Sequence, residues 1–236
     1  MKILSAIENN VGIITLNHPE KSNAIDTEMR DTMIQLFSDY DHHPDVRVIL
    51  LTANGKHFCA GADLVHMQAM MQAPYADNVA DAQQLATLFL TIYHCRKPTV
   101  CFAHGKSVGG GIGLVAACDI AIADVDAAFC FSEVKIGLLP AVIAPFVTRR
   151  MGVHPAQYHM MTAEPFDAEK ALALHLVDQV CDKEKAMQGI ESLLHNTQVG
   201  MEGVKKWLRT LCPISTEIME QAAITLADIR HHRAVT

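Results

Sequence analysis

The chain has 236 residues, half of them apolar and 6 % aromatic, with a formal charge of −7 and no long basic run. That is enough chain for one well-buried core with a smaller helical appendage; it excludes a disordered polyelectrolyte and argues against nucleic acid as the partner. Seven cysteines (59, 95, 101, 118, 130, 181, 212) are odd in number, form no CxxC pair and lie mostly in apolar runs. They are expected to be reduced thiols in a cytoplasmic protein. The apolar run at the N-terminus is too short for a secretory segment and no apolar stretch reaches membrane length, so no membrane association is expected.

In chain order, Ile3–Ile7 and Val11–Leu16 flank Asn9-Asn10, which predicts a β-hairpin. A polar loop follows, Asn17 to Asn23, carrying Lys21. Met29, Met33, Phe37 and Tyr40 recur at helical spacing, so a helix is predicted over 27–40, capped by Asp26 or Thr27. Pro44-Asp45 ends it. The continuous apolar run Val46–Thr52 predicts a strand covered on both faces. Residues 53–64 form a small-residue turn after that strand, and His66–Met71 predicts a helix or a mobile loop. Gln83–Tyr93 predicts an amphipathic helix.

Thr99–Phe102 predicts a buried strand leading into the glycine-rich turn Gly105–Gly111 and a small-residue helix from Ile112 to Cys118. Short strands are predicted at Ile120–Ala123, Ala128–Phe131 and Leu176–Asp178. Beyond Pro145 the chain reads as largely helical, wholly so from about Lys183. The fold class is α/β with a helical C-terminal region, divided as a core of residues 1–180 and a helical part of residues 181–236.

Two post-strand turns, at Gly61-Ala62 and Gly109-Gly110, can each aim a main-chain N–H at one spot, which would hold an oxyanion. Close packing of helix on sheet is the other reason for such glycines. Gly105-Lys106-Ser107-Val108-Gly109 also fits the G-x-S-x-G nucleophile elbow, with Asp178 and His195 downstream in order, so a serine hydrolase is an alternative. The thirteen histidines, including His42-His43 and His231-His232, show no metal-ligand spacing, and no metal is expected.

His57-Phe58-Cys59-Ala60-Gly61-Ala62-Asp63-Leu64, then Gly105 with Gly109-Gly110-Gly111 and Cys118-Asp119, then Phe131-Ser132-Glu133 with Gly137-Leu138 and Pro140, resemble the crotonase (enoyl-CoA hydratase/isomerase) superfamily. The segments GGGIGL, SEVKIGLLPAVIAPFV and Met161–Ala168 are more narrowly similar to bacterial methylglutaconyl-CoA hydratase-type members. The resemblance implies a crotonase-like fold and a lyase that adds water to an α,β-unsaturated acyl-CoA in fatty-acid or leucine breakdown. It makes the N–H groups of Ala62 and Gly110 the oxyanion hole and Glu133 the proton-transfer group. It places Ala60, Gly61, Asp63 and Lys21 against the CoA, Lys21 near its phosphates. Apart from the CoA that the substrate carries, it implies no cofactor, and it implies a homotrimer or a dimer of trimers.

Two departures stand out. Two-glutamate hydratases carry an acid where this chain has Gly113, so either Glu133 hydrates alone or the protein is an isomerase that shuttles one proton. Family members also continue past the segment Ala227-Asp228-Ile229-Arg230 into a further helix over CoA, whereas this sequence ends soon after it. A CoA-binding protein without turnover is therefore a further alternative.

Overall fold

The computed structural model describes residues 1–235, with side chains as far as His232. Ile3–Glu8 (β1) and Val11–Leu16 (β2) form the hairpin. Asn9 and Asn10 take φ of 48° and 63°, the left-handed pair whose twist matches that of the flanking strands. Thr27–His42 (α1) is capped by Asp26, whose side chain accepts from the Met29 N–H at 2.9 Å. Val48–Ala53 (β3) follows, then Leu64–Gln72 (α2) and Tyr75–His94 (α3). The 66–71 segment is thus helical, and the helix predicted from Gln83 starts eight residues earlier, directly after Pro74.

Thr99–Ala103 (β4) leads to Lys106–Val108 (β5) and Gly110–Ala117 (α4). The predicted glycine turn is therefore split by a short strand that contains Ser107. Ile120–Ala123 (β6), Ala128–Cys130 (β7), Ala144–Met151 (α5), Val153–Thr162 (α6), Phe166–Asp167 (β8) and Ala168–Ala173 (α7) come next. The strand expected at Leu176–Asp178 is displaced to Gln179–Val180 (β9). His175 adopts φ 60°, and the Leu176 N–H donates to Ala171 O at 2.9 Å. Leu176 and Val177 are buried because they wrap the end of α7. Lys183–Leu193 (α8), Gln198–Leu211 (α9) and Thr216–Val235 (α10) complete the chain.

The larger sheet has strand order β1-β2-β3-β4-β6-β9, parallel except for the hairpin; the smaller has order β5-β7-β8. Strand side chains alternate between faces. Ile49, Leu51 and Cys101 therefore join the main core with Phe37, Phe89 and Phe146. Val48, Leu50, Val100 and Phe102 face the other side, where Ala186 and Ile190 of α8 cover them. Burial on both faces explains why β3 and β4 are continuous apolar runs. α10 contributes Met219, Ala223 and Leu226 to the main core and packs along α3 and α2.

Candidate functional site

The segment after β3 is zipped from both sides by its own backbone. Cys59 exchanges bonds with β5, its N–H donating to Lys106 O at 3.2 Å and its carbonyl accepting from the Val108 N–H at 2.9 Å. Ala60 N–H donates to Ser22 O, Ile25 N–H to Gly61 O and Asp63 N–H to Ile25 O, all between 2.7 and 2.9 Å. Gly61 sits at φ +88°, and a Cβ there would lie 2.8 Å from Val108 O, so the two turns approach this closely only with glycine in place.

This lacing leaves two donors over. Among the described residues neither the Ala62 N–H nor the Gly110 N–H has an acceptor, and both residues are partly exposed. A Cβ built on Gly110 would fall 3.8 Å from the Ala62 nitrogen. Gly110 is also the first residue of α4, where the helix adds partial positive charge. The pair can stabilise negative charge developing on a carbonyl oxygen.

Glu133 opens the 3-10 turn Glu133–Ile136 after β7. Its carboxyl lies against Gly109, where a Cβ would come within 2.7 Å of Oε1. Oε2 is buried without a hydrogen-bond partner. Burial pushes this carboxyl up from 4.5 to about 7, a value suited to taking and returning a proton near neutrality.

Ala62, Gly110 and Glu133 line one cavity of about 580 Å³, together with Lys21, Ala60, Gly61 and Asp63. The structure thus brings all seven residues singled out in the sequence to one place, and gives Asp63 a defined task. Its Oδ1 accepts from the N–H groups of Val65 and His66 at 2.9 and 3.0 Å, capping α2, while Oδ2 holds Lys21 Nζ at 2.9 Å. The bond from Lys21, with those from the helix start, keeps the Asp63 carboxyl below its ordinary range. Lys21 remains half exposed at the rim.

The serine-hydrolase alternative fails on geometry. Ser107 is 0 % exposed on β5, and its Oγ has no hydrogen-bond partner. Asp178 is engaged by Arg150 at 3.1 Å and by the Ala121 N–H at 2.8 Å, and His195 is exposed beyond α8. A nucleophile elbow needs its serine on the turn itself; here β-strand alternation turns the side chain inward. Among the described residues no group of three His, Cys, Asp or Glu side chains is placed to hold a metal ion.

Sequence reasoning missed the buried ionic cluster at one wall of the cavity. Arg230, on α10, donates from Nη1 to Asp81 Oδ2 at 2.8 Å; Asp81 Oδ1 accepts from Arg30 Nη1 at 2.9 Å and pairs with His66 Nε2 at 2.8 Å. Burial alone would raise the Asp81 carboxyl, but the bonds from His66 and Arg230 hold it below its ordinary value. Ala227–Arg230 therefore lies within α10, with Leu226 and Arg230 on the cavity wall. Thr236 and the side chains from Arg233 onward lie outside the described residues.

The family model for enoyl-CoA hydratase/isomerase matches residues 6–230. The chain belongs to the enoyl-CoA hydratase/isomerase family. Its fold superposes on a crystal structure of an enoyl-CoA hydratase from Shewanella pealeana with a TM-score of 0.87 at 38 % identity, covering 98 % of this chain and 88 % of that one. The enoyl-CoA hydratase AKT6-1 of Alternaria alternata is 33 % identical over 199 residues, 84 % of this chain; the aligned part spans 65 % of that relative's length. The (E)-benzylidenesuccinyl-CoA hydratase of Thauera aromatica is 27 % identical over 97 % of this chain and 84 % of its own. As an enzyme of the hydratase/isomerase family, the chain has the crotonase fold on which these two turns and this glutamate are mounted. No helix among the described residues is long and apolar enough to cross a membrane.

Proposed function

We propose that the protein adds water to an α,β-unsaturated acyl-CoA, with 3-methylglutaconyl-CoA as the leading substrate. The observation that carries this reading is the pair of unpartnered N–H groups, Ala62 and Gly110, in one cavity with a buried carboxyl near pKa 7. The thioester oxygen accepts from both N–H groups, which hold the charge as the enolate forms. Ionised Glu133 takes a proton from water as the oxygen attacks Cβ, then returns that proton to Cα, so atoms and charge balance. No group is called on beyond the chain's donors, its carboxyl and the CoA of the substrate. Lys21 and Lys135 supply positive charge for the CoA phosphates, and the backbone around Ala60 and Gly61 lies against the nucleotide. The GGGIGL and SEVKIGLLPAVIAPFV segments support the methylglutaconyl choice and with it a place in leucine breakdown. The succinyl-type acyl group in the name of the Thauera relative points the same way. Seven free thiols accord with a cytoplasmic setting.

Gly113 favours a second reading, an isomerase that uses Glu133 alone to move a proton from one carbon to another. Absorbance of the enoyl-thioester band separates the readings. Loss of the band with 3-methylglutaconyl-CoA or crotonyl-CoA is the expected result. Growth of the band from a 3-enoyl-CoA with no loss from a 2-enoyl-CoA identifies an isomerase. Calorimetric CoA binding without either change identifies a binder without turnover.

The homotrimer, or dimer of trimers, is supported by α9. Lys205 on its inner face is buried against Asp119 and the Lys97 carbonyl. Val204, Trp207, Leu208 and Leu211 form an apolar stripe at i, i+3, i+4 and i+7 on the outside, with Trp207 63 % exposed. Trp207→Glu is expected to lower the mass seen by light scattering to that of one chain. A wild-type protein that is already monomeric would rule this assembly out.

A further inference from the structure

The cavity holds a charged group that the proposed hydration leaves unused. Three cations line it: Lys21, Lys135 and Arg230. Lys21 is half exposed and Lys135 is exposed, whereas Arg230 is 2 % exposed. Arg230 reaches Asp81 through Nη1 alone, and its buried Nε donates to nothing. Asp81 does not neutralise this guanidinium by itself, because the same carboxylate also serves Arg30 and His66. The other partner of Arg30, Asp31, is largely exposed. The neighbouring cavity wall is apolar, formed by Met67, Leu85, Ile143 and Leu226. A buried guanidinium with an unused N–H, sharing one carboxylate with a second guanidinium, is costly in an empty site and is relieved when an anion enters.

We propose that Arg230 binds the free carboxylate of a dicarboxylic acyl chain. The protein then selects half-thioesters of unsaturated dicarboxylic acids over monocarboxylic acyl-CoA esters of similar length. The inference rests on the acyl-CoA reading above. A CoA phosphate is the other anion at hand, but it is bulky and strongly hydrated, and the two exposed lysines suit it better. A planar, weakly hydrated guanidinium in an apolar wall suits a carboxylate.

Calorimetry on the full chain with glutaryl-CoA and butyryl-CoA, which carry no double bond to hydrate, tests this without turnover. Wild-type protein is expected to bind glutaryl-CoA about 10- to 100-fold more tightly. Arg230→Met should bring the ratio of the two affinities close to one, and Arg230→Lys should retain part of it. A wild-type ratio at or below one overturns the proposal while leaving the thioester reading intact. An equal loss for both ligands in a folded Arg230→Met variant assigns Arg230 to the CoA moiety and also overturns it. Failure to bind either thioester overturns the acyl-CoA reading itself, and this inference with it. Thermal melts report whether the methionine variant is folded; if it is not, the wild-type ratio and the lysine variant decide.

Discussion

Glu133→Gln is expected to lower kcat by about 100- to 10,000-fold, the usual contribution of a positioned proton-transfer group, while substrate binding changes little. The isosteric amide keeps the contact with Gly109 but cannot take a proton from water. In the proposed mechanism the ionised carboxylate starts the reaction, so wild-type kcat/KM should rise with pH through an apparent pKa of about 7 and level off above it. A flat profile between pH 5 and 9 would remove Glu133 from this role.

The same substitution should affect stability in the opposite sense. In the unfolded chain this carboxyl titrates near 4.5, and in the folded protein near 7, so the folded state holds the proton more tightly. The resulting stabilisation is complete below pH 4.5 and is lost as the pH rises through 7. Above pH 8 the wild type carries a buried, unpartnered charge at Oε2 that the glutamine variant lacks. The variant should then be more stable by roughly 3 kcal/mol, with little difference at pH 4.5. Thermal melts at both pH values, run beside turnover, check this; a variant less stable at pH 8 would show that ionised Glu133 is held by partners the structure does not contain. An active site that gains stability when its reactive group is neutralised is one where the fold bears the cost of function.

The parts of this fold that were legible in the sequence are those written in local patterns. Asn9-Asn10 between two apolar runs encodes a hairpin because both residues tolerate positive φ. The runs at β3 and β4 encode a sheet covered on both faces. Gly61 and Gly109 encode the two turns because each takes a positive φ and neither has room for a Cβ. What was not legible depends on partners remote in sequence. Arg30 and Asp81 are 51 residues apart and Asp81 and Arg230 are 149 apart, and each alone reads as a solvated charge. One trace was present: Leu226 and Arg230 are four residues apart on one helix, so a cation follows a core leucine on the same face. The G-x-S-x-G pattern misled for the opposite reason, since its spacing is local but the direction of Ser107 is set by pairing with β7.

Gly113 is the position where sequence comparison and packing give different instructions. By resemblance to two-glutamate hydratases it is a missing acid, and Gly113→Glu is the obvious way to restore it. The structure predicts that this change destroys the protein instead. A Cβ at 113 would collide with Ile143 Cγ2 and lie 2.8 Å from Phe89 Cε1. Both neighbours belong to the main core, and Phe89 in turn packs on Phe146 with ring centroids 5.9 Å apart. Adding one methyl group to such a site costs about 1–3 kcal/mol. Extending it to a carboxylate with no partner adds a desolvation penalty of similar size or larger. A total of roughly 2–6 kcal/mol is a large fraction of the stability of an ordinary domain. Gly113→Glu is therefore expected to be insoluble or to melt far below the wild type. Gly113→Glu combined with Ile143→Ala should recover part of that loss, because the removed side chain leaves the volume the new one needs. A stable single variant with enhanced hydration would show that 113 is a vacated catalytic position. The expected result shows that Ile143 and Phe89 fill the space beside residue 113 and leave no room there for a second carboxylate, so that in the proposed mechanism the proton transfer falls to Glu133 alone.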